Sequence, residues 1–200
     1  MRFDEELEVL LRSRFTLICV VSVEEERLLA ELRALCERTR RQLVVWDHAD
    51  FFQPTAGGDA LPPAKDPLAV LDAVDRHQGD ALFVLRDFHQ CWANQPRVVR
   101  KLRNVSQSLK FTRKSSVVTA PVVQVPEELR DVCVLLECPP PGVAELEAIL
   151  DQLAATPGVR VDLGPASRDR LIRSALGLSS NQAQRVFARA MVTHGVLDER

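Results

Sequence analysis

The sequence predicts an α/β fold: a five-stranded, mostly parallel sheet over residues 1–138, then a small helical part over 139–200. Three observations carry this. Five short runs rich in β-branched and apolar residues alternate with amphipathic helical stretches. The runs Thr16–Val23 and Ala81–Leu85 are apolar without alternation, as strands covered on both faces are. The strand pattern stops at Cys138, where Pro139-Pro140-Pro141-Gly142 reads as a stiff linker and the best domain boundary.

Phe3, Leu7, Leu10 and Leu11 recur at helical spacing, so residues 4–13 read as a short helix. Thr16–Val23 is the first strand. Ser22 and Glu25 stand at capping-box spacing, and Leu28, Leu29, Leu32, Leu35 and Cys36 then form one helix face ending near Arg40. Leu43–Asp47 is the second strand. Residues 53–66, with Pro54, Gly57, Gly58, Pro62 and Pro63, read as loop. Asp66 caps a helix with Pro67 in its first position. Ala81–Leu85 is the third strand, and Pro96 opens a helix striped by Val98, Leu102, Val105 and Leu109. Ser116–Thr119 and Val132–Leu136 are the fourth and fifth strands. Helices over 143–154, 167–176 and 179–193 close the chain. The segment 156–166 carries little pattern, and Gly177 stands as a C-cap between the last two helices.

The composition is that of a globular chain with enough apolar residues for a core, 46% of 200. A disordered chain and a disulfide-stapled miniprotein are excluded. The charge is balanced, 26 basic against 28 acidic residues, which argues against a wholly basic nucleic-acid binder. Five cysteines with no CxxC spacing, no secretory leader and no apolar run of membrane-spanning length predict a reducing, cytoplasmic setting with no membrane partner.

An α/β sheet followed by helices poses the question of a phosphate loop, GxxxxGK[ST]. In that loop glycines let backbone N–H groups wrap phosphates and a lysine reaches the outer ones. Here the first strand runs instead into Ser22-Val23-Glu24-Glu25-Glu26-Arg27, and no glycine precedes Gly57. Three carboxylates occupy the helix start where phosphate would sit and would repel it. The third strand ends Leu82-Phe-Val-Leu-Arg-Asp87-Phe88, similar to a strand whose aspartate holds magnesium. The following position, acidic in working sites, is Phe88. Asp87 reads as an aspartate that ends a strand and caps the next turn, as a remnant metal position, or as a working magnesium site.

The order of these segments resembles an AAA+ module with a degenerate nucleotide site. More narrowly it resembles the N-terminal, P-loop-lacking half of the chloroplast and cyanobacterial hypothetical-reading-frame-forty-six (ycf) type of AAA+ ATPase. The resemblance is carried by Val23–Arg27, Leu82–His89, Leu102-Arg-Asn104, Arg113-Lys114, Val125–Leu129, Leu171–Ser179, Asn181–Ala183 and Val186–Ala190. It implies a degenerate AAA+-like core at 1–138 and a helical lid at 139–200. It also implies a catalytic half beyond Arg200, and ATP and Mg²⁺ as cofactors of the wider family rather than of this chain. Thr119 then falls near the sensor-1 position, with a strand-end threonine as its plain reading. Arg130 falls near an arginine finger acting in trans, with a solvated arginine as its plain reading.

Residues 97–114 carry Arg97, Arg100, Lys101, Arg103, Lys110, Arg113 and Lys114 with no acidic residue among them. Such a stripe can face solvent, a partner subunit, a nucleic-acid backbone or an acidic protein partner. With one aromatic residue, Phe111, this stretch by itself gives little support to a base-stacking platform. His89-x-Cys91 and the group Asp47, His48 and Asp50 are compositionally open to thiol or metal chemistry but carry no spacing signature. Trp46 and Trp92 read as half-buried anchors.

The expected function is a catalytically silent AAA+-like module that assembles with itself or with an active AAA+ half. One alternative is an ATPase with an unconventional site, which would need Lys65, Lys101, Lys110 or Lys114 near the phosphates. The other is a clamp-loader-like nucleic-acid-binding subunit.

Overall fold

The strand predicted first, β1 (Leu17–Val21), is the second strand from one edge of the sheet, with parallel neighbours on both sides. The computed structural model describes residues 2–53, 61–156 and 163–194. Helix α1 (Phe3–Arg12) precedes β1, and α2 (Glu25–Thr39), β2 (Gln42–Asp47), β3 (Phe51–Gln53) and α3 (Pro67–Arg76) follow it. Next come β4 (Ala81–Arg86), α4 (Pro96–Leu109), β5 (Ser115–Ala120) and β6 (Cys133–Glu137). The strand order is β3-β2-β4-β5-β1-β6.

The sheet is thus six-stranded and mixed, which corrects the expected five-stranded sheet. The added strand, β3, runs antiparallel to β2, pairing Asp47 with Phe51, Trp46 with Phe52 and Val45 with Gln53. One side chain sets this hairpin. The Asp47 carboxylate accepts from the amides of Ala49 (2.9 Å) and Asp50 (2.7 Å) and from the Gln53 side chain (2.7 Å). Gln53 therefore lies in a strand rather than in the expected loop. Pro54, Gly57 and Gly58 of that loop lie outside the described residues, as do 157–162 of the weakly patterned segment.

Alternation along the strands divides the core into two layers. Leu17, Cys19, Val44, Trp46, Phe83 and Leu85 pack with Val70, Leu71 and Val74 of α3 and Val98, Leu102 and Val105 of α4. Ile18, Val20, Leu43, Val45, Leu82 and Val84 pack on the other face with Leu7 and Leu11 of α1 and Leu28, Leu32 and Leu35 of α2. Burial of each such side chain contributes about 1.5–3 kcal/mol. The expected half-burial of the tryptophans is corrected: Trp46 and Trp92 are both buried, because both belong to the first layer. The Trp46 indole N–H donates to the Ala64 carbonyl at 2.9 Å and so satisfies its one polar atom.

Two local details differ from the sequence reading. Glu24, not Ser22, is the N-cap of α2, and the Ser22 hydroxyl accepts from the Glu24 amide at 3.0 Å. The Glu25 side chain is thereby released from the expected capping box. Lys114, expected on a surface stripe, is buried. Its ammonium donates to the carbonyls of Val74 (3.1 Å), Asp75 (2.7 Å) and His77 (2.9 Å), which close the C-terminus of α3.

The chain divides into two compact units, 1–138 and 139–200. The second contains α5 (Val143–Ala154), α6 (Pro165–Ser174) and α7 (Ser180–His194). Its core is Leu146, Leu150, Ile172, Ala183, Phe187 and Met191. Gly177, at φ +91°, turns the chain between α6 and α7, while Ala175 is the C-cap of α6.

Replacing Lys114 with Met removes a charge-assisted donor from three carbonyls that are buried or partly buried. The expected cost is about 2–4 kcal/mol, read as a lower urea midpoint with secondary structure retained at zero denaturant.

Candidate functional site

In an open parallel sheet, ligands bind outside the carboxyl ends of the strands, where consecutive connections leave toward opposite faces. That position lies here between β1, whose connection leads to α2 on one face, and the β4 and β5 ends, where α4 covers the other. A cleft of about 150 Å³ opens there, lined by Ser22, Val23, Glu25, Leu28, Asp87, Thr119, Ala120 and Pro121. Beside it, a cleft of about 340 Å³ is lined by Glu25, Asp47, His48, Ala49, Asp50, Arg86, Asp87 and Gln90. The first is well below the roughly 300–1,000 Å³ of ordinary small-molecule pockets.

Glu25, the first residue of α2, reaches back across the cleft to Arg86 at the end of β4. Two parallel bonds join them, Nε to Oε1 at 2.5 Å and Nη2 to Oε2 at 2.7 Å. The remaining arm of the guanidinium, Nη1, donates to Asp47 Oδ2 at 3.0 Å. Hydrogen bonding to Glu25 is the first cause, outweighing burial, that raises the Arg86 pKa above its ordinary value. Glu24 is buried and pairs with Arg27 at 2.9 Å. The start of α2, which could hold an anion, is therefore filled by the chain's own carboxylates, and the cation facing them is already shared between two.

Asp87 and Thr119 are brought together. The Asp87 amide donates to the Thr119 carbonyl at 2.8 Å, and both residues line the smaller cleft. Asp87 sits at φ +53°, a left-handed conformation that asparagine and aspartate tolerate better than most residues. The Thr119 hydroxyl is buried without a hydrogen-bond partner among the described residues. Arg130 stands apart on the turn before β6, exposed and paired with Glu127 at 3.0 Å. No lysine lines either cleft. Lys65 lies over the Phe51 ring at 5.6 Å, Lys101 pairs with Asp72 at 2.5 Å, and Lys114 is buried at the end of α3.

The seven cations of 97–114 do not form one stripe. Arg97, Arg100 and Lys110 are exposed, while Arg113 pairs with Asp80 at 2.7 Å and donates to the Thr39 carbonyl at 3.2 Å. Arg103 is partly buried. Cys91 meets not His89 but His48, with sulfur and Nε2 3.2 Å apart. Burial pushes the Cys91 thiol up to about 11, so it rests protonated at neutral pH. No group of three or more potential metal ligands occurs among the described residues. Sequence reasoning missed the central role of Arg86. The available signal was an arginine between an apolar strand and its terminal aspartate.

The strand order and the crevice at its carboxyl end define the first unit as a P-loop-like α/β module. The model of the SpoVK-like AAA ATPase N-terminal domain matches residues 3–138, and that of the second domain matches residues 144–200. The chain belongs to the SpoVK-like AAA ATPase family. It is similar along its whole length to proteins described as uncharacterized AAA domain-containing protein ycf46. The identity is 29% for the Trieres chinensis protein (100% of this chain, 40% of that one) and 29% for that of Guillardia theta (97% and 38%). For Pyropia yezoensis it is 25% (100% and 40%). The chain thus spans about two fifths of the length of these relatives.

Replacing Arg86 with Met leaves the Glu25 and Asp47 carboxylates facing one another uncompensated. A stability loss of about 1–2 kcal/mol is expected by urea denaturation. Arg86→Lys, which cannot form the paired bonds to Glu25, should recover only part of it.

Proposed function

We propose that this chain is a catalytically silent AAA+-like module that works by assembling with an active AAA+ half or with further copies of itself. The observation that carries the reading is the ion pairing of Arg86 with Glu25 and Asp47. It fills the phosphate position with protein charge and leaves carboxylates facing a bound nucleotide. The small crevice and the absence of lysine from its lining support the same reading. Asp87 and Thr119 are, in this view, the positions of a metal aspartate and a sensor hydroxyl retained in the fold without their chemistry. Arg130, exposed on its turn, is assigned to contact with a neighbouring catalytic half. No helix among the described residues is long and apolar enough to cross a membrane, and a cytoplasmic setting is part of the proposal.

Calorimetric titration of the chain with Mg–ATP and Mg–ADP tests the silent site. No binding heat is expected up to millimolar nucleotide, and micromolar binding overturns the reading. In an assembly with an active AAA+ half, Arg130→Ala should lower ATP hydrolysis about ten-fold or more if the side chain stabilises transferring phosphate. Unchanged hydrolysis removes that role.

A further inference from the structure

The amino end of the sheet, opposite the acidic clefts, gathers cations from three separate turns. Arg14 comes from the turn before β1, Arg41 from the turn before β2, and Lys110 and Arg113 from the turn before β5. Contacts tie these turns together. Arg14 Nη1 donates to the Thr112 carbonyl, Arg113 donates to the Thr39 carbonyl at 3.2 Å, and the Ser115 hydroxyl donates to the Phe15 carbonyl at 3.0 Å. Burial first, and then the nearby charge of Arg113 and more weakly Arg14, holds the Arg41 pKa below the usual arginine value. Nε and Nη1 of Arg41 have no hydrogen-bond partner among the described residues. Asp75 and Asp80 stand at the rim, and both are engaged, Asp80 by Arg113 (2.7 Å) and Asp75 by the Ser108 hydroxyl (2.6 Å).

Cations at helix C-termini have a structural use, since they complement the helix dipoles. That use does not account for the aromatic residues. Phe111 is 92% exposed and Phe15 40%, and they are the only large aromatic side chains that stand exposed among the described residues. Both lie at this end, each flanked by the cations above. Phe111 is held out rather than left loose. The Thr112 amide and hydroxyl both donate to the Leu109 carbonyl, at 2.9 and 2.8 Å, and the Lys114 amide donates back to the Thr112 hydroxyl at 3.1 Å. A cleft of about 510 Å³ runs alongside, and its wall holds Arg14, Phe111 and Arg113 together with the engaged carboxylates Asp75 and Asp80. An exposed ring beside guanidinium and ammonium groups is the arrangement that stacks an unpaired base while neutralising its phosphates. A duplex keeps its bases inside and offers the ring nothing to stack on.

We infer that this end of the sheet binds single-stranded nucleic acid, with Phe111 stacking on a base, Phe15 supporting it, and Arg14, Lys110 and Arg113 contacting the backbone. The inference goes beyond the nucleotide reading above and does not depend on it, since the two sites lie at opposite ends of the strands.

Fluorescence anisotropy of a labelled oligothymidylate of about sixteen nucleotides, added to the chain at low salt, provides the test. Binding is expected, falling about twenty-fold between about 50 and about 200 mM salt if three phosphates are contacted. Phe111→Ala should weaken it about ten-fold, while Phe111→Trp retains it. Arg14→Gln and Lys110→Gln should each flatten the salt dependence, and Arg97→Gln, at the far end of α4, should change nothing. Phe111 is exposed, so its variants fold, and circular dichroism checks this. No binding at low salt overturns the inference. So does binding that ignores Phe111, or competition by duplex or inorganic phosphate as effective as by single strand, which would mark a contact with phosphate alone. Competition by an acidic peptide alone would also overturn it, in favour of a protein partner.

Discussion

Arg86 holds the carboxyl ends of two strands and the start of a helix in one charge-balanced cluster. Its guanidinium grips Glu25 with two parallel bonds and reaches Asp47 with a third. The helix end that would otherwise be free to receive an anion is fixed against β4. The same Asp47 carboxylate that takes the third bond also orders the turn into β3. One ionic cluster therefore links the closure of the crevice to the sixth strand. Removing Arg86 leaves two partly buried carboxylates without their cation, which costs more than the bonds alone are worth.

The sheet beneath is conventional for its class, buried on both faces by two helices each, and this rigidity lets its two ends take different characters. At the carboxyl end carboxylates outnumber the single arginine. At the amino end arginines converge from turns that are far apart in sequence. The net charge of −2 for the whole chain does not display this. A parallel sheet carries every strand's beginning to one side and every ending to the other, so charges placed consistently before or after strands add up in space.

The flanking helices were legible from the helical period of their apolar residues, and the parallel strands from short, continuous apolar runs. The start of helix α3, with Asp66 as its cap and Pro67 first, was legible to the residue. Strand β3 was not, since three residues carry no period and its turn depends on one aspartate. The capping role expected of Ser22 lost to a competing bond within its own turn, which freed Glu25. Lys114 read as surface because a lysine's burial depends on three carbonyls nearly forty residues away, which no local pattern displays. The acidic start of α2 was visible in the sequence, but its counter-ion was not. Arg86 meets Glu25 only because β4 lies two strands from β1.

In the proposed reading the chain's own charges close the phosphate position. Hydrogen exchange of the backbone amides of residues 22–28 and 86–89, followed with and without millimolar Mg–ATP, addresses it directly. Those amides are the groups that a phosphate chain would contact and protect. Identical exchange in both conditions is expected. Slowed exchange confined to these two segments on adding nucleotide would mean that the Glu25–Arg86 pair opens to admit it and that the phosphate position is not closed.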